Sequence, residues 1–360
     1  LLNSIGTAGQ GGFGPIDVWR PEATAAFLSC THEKYYRRYG EYFDSLIHAV
    51  FTDEPYIQNA NTSCGEEVKL PFSYWFAHQF QKKRGYSIIE NLPALYGDVE
   101  YAGFSFPPSK VRYDYYETLH ELWKENYLLP IYTWCKEHHL PLTGHYFEHN
   151  WPLANAGAVS PDVMSAYEFM DWPGIDILFS HNLKDSPIHP LQIALWEVRS
   201  VGNQLGKKRI LCEVNGAGGW DSTFADYKRT ADWLFAGGIN FLCHHLCYGS
   251  ISGARKRDHP QSFDWRQPWW DEFGQLNTYF GRLSYTLSQG SAKQRVLVLH
   301  PTTTGYLLPR LQEGKTIEKG NIPDNPSMEK YWHLLTELER ELWDFDLGDE
   351  YILERHGAVE

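Results

Sequence analysis

The chain has few cysteines and no long apolar run. It contains 360 residues with six cysteines, and no two of them form a CxxC pair. Zinc ribbons and thioredoxin-like redox centres need such pairs, so neither class is indicated. We expect free thiols, which mildly favour a reducing compartment. No segment approaches the roughly 18 apolar residues of a membrane-spanning helix, so we expect no membrane partner.

Basic residues are also scarce. Lysine and arginine number 32 against 45 aspartates and glutamates, a formal net charge of −13, and the basic residues form no stripe. This balance argues against a nucleic-acid partner. The abrupt start of the chain indicates a fragment, so the lack of a signal peptide decides little, and a bacterial cytoplasmic or periplasmic location stays open, as does the oligomeric state.

Aromatic residues, in contrast, are abundant. They make up 16% of the chain, with 14 tryptophans and 23 tyrosines. One interpretation is a large core of amphipathic rings. The other is that some of the rings line a cleft for sugars, whose flat C–H faces suit the negative face of an aromatic ring.

Short apolar strands alternate with amphipathic helices over residues 45–290. This alternation is typical of a parallel sheet covered by helices. It gives about four or five strand–helix units, too few for a closed barrel, so opening strands are expected upstream or in the irregular N-terminal segment. Near residue 291 a new apolar strand begins. We therefore predict a barrel-type catalytic domain over 1–290 and the start of a Rossmann-like α/β domain over 291–360.

Acidic residues stand where three of the predicted strands end. Asp53 and Glu54 close the first strand, Glu148 follows LTGHYF, and Glu213 follows RILC. In (β/α) barrels the active site is built from the ends of separate strands, and a pair of such acids can cleave a glycosidic bond. The alternative is that these acids are strand termini paired with nearby lysines or arginines.

The segment around Glu148 also matches an inverted zinc-protease pattern, HxxEH, through His145 and His149. That pattern needs a helix over 143–150 so that both histidines face one metal ion. Pro141 and Gly144 favour a strand here instead. We interpret Glu148 as a catalytic or sugar-binding residue and keep the metalloprotease as the less favoured alternative.

Further candidates follow the later strands. A glycine-rich loop after Glu213 leaves room for a ligand and leads to Trp220. In NFLCHHLCYG, one of His244 and His245 is expected to face the lumen of the sheet and the other the helices. A neutral imidazole can bind a sugar hydroxyl, but a core histidine hydrogen-bonded to a neighbour is the alternative.

Several motifs, taken in order, resemble bacterial glycosyl hydrolases of family 106, the α-L-rhamnosidase group. They are FTDEP, TGHYFEHN, YEFMDWPGIDILF (167–179), the segment 211–249, and RKRD followed by QPWW. The chain also looks like barrel glycosidases with a trailing Rossmann-like domain, such as family 42 β-galactosidases. The resemblance implies a (β/α)8 TIM-type barrel and inverting hydrolysis by two glutamates, which motif position assigns to Glu148 and Glu213.

Calcium near the sugar is a feature of the resembled family. The sequence shows no clear run of calcium ligands, so we assign no metal-binding residue and expect no required cofactor; calcium rests on the resemblance alone.

The sequence therefore predicts a glycoside hydrolase of carbohydrate metabolism, α-L-rhamnosidase-like and inverting, with Glu213 as the acid and Glu148 as the base. Sugar contacts are assigned to Asp53, Glu54, His145, Trp220, His244 and His245. A β-galactosidase-like retaining glycosidase and a non-catalytic carbohydrate-binding barrel remain the alternatives.

Overall fold

The structure is a computed structural model, and its α/β fold is built on one main parallel sheet. Among the residues it describes, no helix combines the length and the apolar character that crossing a membrane requires. The described residues are 17–55, 57, 70–98, 106–146, 160–178, 192–257, 259–307, 311–312, 315–316 and 326–358.

The main sheet has five strands in sequential order, and every neighbouring pair is parallel. Sequential parallel strands with helices in between form a curled half-barrel, and this confirms the predicted alternation of strands and helices. The strands are β1 (Val50–Thr52), β2 (Leu142–His145), β3 (Trp172–Ile177), β4 (Leu211–Val214) and β5 (Phe241–His244).

Helices cover the outer face of this sheet. Two long helical stretches are interrupted. The first breaks at Thr31, and the second passes through a π-helical turn, Lys124–Leu128, just before Pro130, which lacks an N–H donor. The helices of this part are Pro21–Cys30, His32–Tyr39, Tyr74–Arg84, Pro108–Trp123, Leu129–Glu137, Gln192–Gln204, Phe224–Ala236 and Trp270–Leu287.

Local signals set the helix ends. The hydroxyl of Ser73 accepts a hydrogen bond from the Phe76 N–H at the start of one helix, which ends at Gly85 in the left-handed conformation (φ 82°). Thr223 and Asp226 form a reciprocal capping box at the start of the Phe224–Ala236 helix. These caps fix where each helix begins relative to the strand before it.

The core between sheet and helices is rich in aromatic rings. Rings such as Phe76, Tyr115 and Trp123 have no exposed surface. A second, smaller cluster forms where Phe263, Phe273 and Phe280 pack against the Phe224–Ala236 helix. Much of the high aromatic content is therefore used for packing, as the first of the two interpretations expected.

The C-terminal part forms a βαβ unit. Strands β6 (Val296–Leu299) and β9 (Phe345–Gly348) pair in parallel, and the helix Pro326–Arg340 lies between them in sequence. A small antiparallel pair, β7 (Leu311–Gln312) and β8 (Lys315–Thr316), precedes that helix. Two short helices complete the unit, Thr302–Leu307 and Glu350–His356.

This unit packs on the Gln192–Gln204 helix of the half-barrel. The Leu347 N–H donates to the Ser200 hydroxyl (2.8 Å), and the Arg199 guanidinium donates to the Phe345 carbonyl (2.9 Å). Two acids near this contact, Asp162 and Asp349, are buried, and desolvation raises the pKa of both. The boundary at 290/291 stays a prediction.

Gly144 allows β1 and β2 to approach closely. Its φ of +122° is a conformation that residues with a side chain rarely adopt. A Cβ placed there would lie 2.0 Å from the carbonyl oxygen of Thr52 in β1. Because His145 is the next residue, this contact also fixes the end of β2.

We predict that Gly144→Ala lowers the free energy of unfolding by roughly 2 kcal/mol or more, because it adds a strained φ and a clash with backbone atoms. Gly249→Ala is the matched control, since a Cβ there meets no atom within 4 Å. Urea unfolding of the two variants measures the difference. Equal stabilities would show that β1 does not pack against Gly144 as described.

Candidate functional site

The candidate site lies at the carboxyl ends of the half-barrel strands. Glu213 is the one residue of β4 that is not fully buried, with 12% of its side chain exposed. His145, at the end of β2, has a side chain with no exposed surface. Asp53 and Glu54 directly follow β1. The carboxyl ends of β1, β2 and β4 therefore bring together Asp53, Glu54, His145 and Glu213 from three distant parts of the sequence.

Short distances connect these groups through His145. Its Nε2 lies 2.7 Å from Glu213 Oε2 and 3.6 Å from Asp53 Oδ1. On the other side of the carboxylate, His245 Nε2 lies 3.8 Å from Glu213 Oε1. The 2.7 Å contact between His145 and Glu213 is a short hydrogen bond. The separations of 3.6 Å and 3.8 Å are longer than a normal hydrogen bond.

Asp176 of β3 joins the cluster, and sequence reasoning missed it. Its Cα is the register partner of Glu213 on the neighbouring strand, so both side chains leave the sheet on the same face. Ligand atoms of Glu54, His145 and Asp176 lie within 4.8 Å of one another, as do those of Asp53, His145 and Glu213. The signal that could have identified Asp176 is a lone acid within the apolar run GIDILF.

The cluster is rich in acidic side chains. The pKa of Asp53 is raised, mainly because surrounding protein displaces water, although 72% of its side chain is exposed. His145 opposes this shift, and the negative charges of Glu54, Glu213 and Asp176 add to it. Such a concentration of like charge favours a ligand that brings hydroxyl donors or a cation.

The backbone around the site is unusual in two places. Glu54 (φ 43°) and Asn215 (φ 70°) are in the left-handed region, and each follows the end of a strand. Asn215 is fully buried, and its carbonyl accepts a hydrogen bond of 2.7 Å from the Gln261 amide. Strained residues of this kind concentrate at functional sites. Neither Asn215 nor Gln261 stood out in the sequence.

His244, the last residue of β5, and His245, the residue after it, lie in different surroundings. His245 reaches the acidic cluster. The His244 ring stacks on Phe263 at 4.7 Å within the second aromatic cluster, and desolvation lowers its pKa to about 4. The structure therefore does not bring His244 to the acids that His245 approaches. Its assignment as a sugar contact is not supported by this placement.

Trp220 lies on the loop after β4. Its side chain is partly exposed, and its indole N–H donates to the Lys256 carbonyl at 2.7 Å. Tyr248 is the neighbouring ring, at 6.5 Å between centroids. Trp220 is thus held with one face near the loops at the carboxyl ends of β4 and β5, which is compatible with a wall of a sugar pocket.

Glu148, the other predicted catalytic acid, lies outside the described residues. The structure nevertheless bears on the inverted zinc-protease pattern, because Leu142–His145 is a strand in register with β1 and β3. The helix over 143–150 that this pattern needs is therefore not formed at its start. The metalloprotease alternative is wrong for this physical reason.

The donor set fits a hard cation such as calcium. Calcium takes oxygen ligands, and four carboxylates, those of Asp53, Glu54, Asp176 and Glu213, surround His145 in the two ligand groups. The sequence showed no calcium-ligand run, and these four carboxylates come from separate strands rather than from one loop.

Comparison with known proteins places the chain in context. The sequence model of glycosyl hydrolase family 106, a family described as alpha-L-rhamnosidase, matches residues 31–326 of this chain. A curated protein of Formosa agariphila, described as "Putative beta-glucuronidase", is 23% identical over 315 residues; the match covers 85% of this chain and 25% of that protein. The chain thus spans about a quarter of the length of this relative.

Solved structures share the fold. A rhamnosidase from Novosphingobium sp. PP1Y has a TM-score of 0.59 at 20% identity, covering 79% of this chain and 26% of that one. A β-galactosidase from Rahnella sp. R3 has a TM-score of 0.58 at 10% identity, covering 92% and 49%. At these identities the likeness establishes the fold alone.

We predict that His244→Phe lowers the free energy of unfolding by about 1–3 kcal/mol, because it leaves the buried Asn215 amide without its imidazole partner at 3.3 Å. KM for a glycoside should stay within twofold of the wild-type value. Thermal unfolding and steady-state kinetics measure both quantities. A large rise in KM with unchanged stability would restore His244 as a sugar contact.

Proposed function

Because the chain belongs to the α-L-rhamnosidase family, glycosyl hydrolase family 106, we propose that it carries the catalytic centre of an inverting glycosidase. The observation that carries the proposal is the placement of Glu213 at a strand end, with 12% of its side chain exposed and a buried histidine as its hydrogen-bond partner. Such an acid is both held in place and accessible to a ligand.

In the proposed reaction, Glu213 donates a proton to the glycosidic oxygen as the bond to the anomeric carbon breaks. Glu148 accepts a proton from a water molecule whose oxygen attacks that carbon from the opposite face. Asp53, Glu54 and His245 bind or orient the sugar hydroxyls, and Trp220 packs against a sugar face. A carboxyl separation of about 6.5–9.5 Å would suit this inverting mechanism, whereas about 5 Å would suit a retaining one.

The charge of the site favours a neutral sugar. The family description names a rhamnosidase, whereas the curated relative is described as a glucuronidase. The charges that act on Asp53 are three carboxylates against one histidine. A uronic acid would add another negative charge to this cluster, and like charges repel at these distances. We therefore propose α-L-rhamnosides, rather than glucuronides, as the substrate class.

We also propose that calcium binds at the carboxylates of Asp53, Glu54 and Asp176. When bound, it would neutralise the like charges and offer a Lewis-acid contact for sugar hydroxyls. For the fold, we propose that the five strands belong to a (β/α)8 barrel and that the β6–β9 unit is part of a Rossmann-like domain. The similarity to barrel glycosidases supports the first of these.

The proposed roles predict different responses to the leaving group. Glu213→Gln should lose about 10²–10⁴-fold in kcat on a glycoside with a poor leaving group but much less on a dinitrophenyl glycoside, which needs little protonation. Glu148→Gln should lose activity by similar factors on both substrates. Steady-state kinetics on the two substrates, with the anomer of the product followed by NMR, provides the measurement.

Glu90→Gln is a matched control, since Glu90 is exposed and far from the strand ends in sequence. If Glu213→Gln keeps wild-type turnover on both substrates, Glu213 is not catalytic. The reversed pattern would exchange the two roles, and retention of the anomer would favour the β-galactosidase-like alternative. Sugar binding without turnover of any glycoside would favour the non-catalytic barrel.

We predict that calcium raises the midpoint of thermal unfolding of the chelator-treated protein, because binding to the native state stabilises it. Asp176→Asn should weaken this effect at least tenfold in apparent Kd, since it removes a charged ligand at a buried position. Differential scanning fluorimetry over a calcium series measures the shift. An identical response of Asp176→Asn and the wild type would place any bound calcium elsewhere.

A further inference from the structure

His145 is too deeply buried to touch a sugar. None of its side-chain surface is exposed, and the edge of the Phe51 ring packs against it at 5.6 Å between centroids. Its Nε2 faces Glu213 at 2.7 Å. The sequence-based assignment of His145 to sugar binding is therefore not supported. Another role must explain why a polar ring lies in this place.

We propose that His145 is a positioning residue, which holds the Glu213 carboxylate in the orientation that catalysis requires. This inference rests on the proposed function of Glu213. The Nε2–H of the imidazole donates to Oε2, which leaves Oε1 to carry the proton that Glu213 transfers in the proposed reaction. Oε1 then points toward His245, on the side of the carboxylate that is not held by His145.

The hydrogen bond from His145 is the short contact that defines the direction of the Glu213 side chain. His245 lies 3.8 Å away, beyond hydrogen-bond length, so it restrains the carboxylate less. A glutamate side chain has several rotatable bonds, and misplacement of a reacting group by about 1 Å can cost about 10²-fold in rate. One buried donor is thus enough to decide whether the carboxylate points at its substrate.

Other contacts explain why this donor is a histidine at the end of β2. His145 Nε2 is also 3.6 Å from Asp53 Oδ1, and side-chain ligand atoms of His145, Glu54 and Asp176 lie within 4.8 Å of one another. The ring therefore lies among acids from the carboxyl ends of β1, β3 and β4. Gly144 fixes the strand just before it, so the ring position follows from the backbone of β2.

The test compares two amides in place of the imidazole. The side-chain nitrogen of glutamine can reach the position of Nε2, whereas that of asparagine is too short. His145→Asn should lower kcat 10- to 100-fold and leave KM within twofold, and His145→Gln should recover most of the loss. A sugar-contacting residue would instead raise KM in both variants.

His120→Gln is the matched control, because His120 is equally buried but stacks on Tyr351 at 4.2 Å, in another part of the core. It should change stability without changing kcat. Combining His145→Asn with Glu213→Gln should cost little more than Glu213→Gln alone, since the histidine acts through that glutamate. Fully additive losses, or a kcat of His145→Asn within twofold of wild type, would overturn the proposal.

Failure of the proposed function would look different, because Glu213→Gln would itself be fully active. If the His145 variants do not fold, a measurement on the unmodified protein still tests the positioning role. Nitrogen-15 NMR of the imidazole should show a proton on Nε2 in a hydrogen bond, and a deprotonated Nε2 would contradict the positioning role.

Discussion

The hydrogen bond between His145 and Glu213 joins the second and fourth strands of the half-barrel at the edge where the acids collect. A buried imidazole without a partner would cost free energy, and a carboxylate without a fixed donor would sample several orientations. The hydrogen bond thus gives the buried imidazole a partner and restrains the orientation of the carboxylate. The surrounding acids are arranged about this pair, since Asp53 approaches the same nitrogen and Asp176 is the register partner of Glu213.

The acidic cluster has a physical cost that a stability-optimised fold would avoid. Carboxylates that lie close together repel, and left-handed backbone at Glu54 and Asn215 adds strain. The remainder of the domain offsets these terms with a large aromatic core and with the helix caps at Ser73 and Thr223. Natural enzymes keep such local costs where function needs them. Family membership is consistent with the proposal that this cluster lies in a sugar-binding centre.

Periodicity predicted most strands and helices because burial imposes it on each element separately. Periodicity gives no signal for the break at Thr31, where the chain turns without glycine or proline. Strand-end acids identified Asp53, Glu54 and Glu213, since an acid next to an apolar run is conspicuous. Asp176 and Gln261 were missed because their roles depend on strand register and tertiary contacts. Alternation alone could not show which of His244 and His245 faces the acids.

A crystal structure with a bound monosaccharide product would show whether a sugar binds against Glu213 at the carboxyl ends of these strands. We expect a sugar ring in contact with Glu213 Oε1, the His145–Glu213 hydrogen bond retained, and the Glu148 carboxyl on the opposite face of the ring. A sugar bound away from the strand ends, with Glu213 facing only protein, would contradict this expectation.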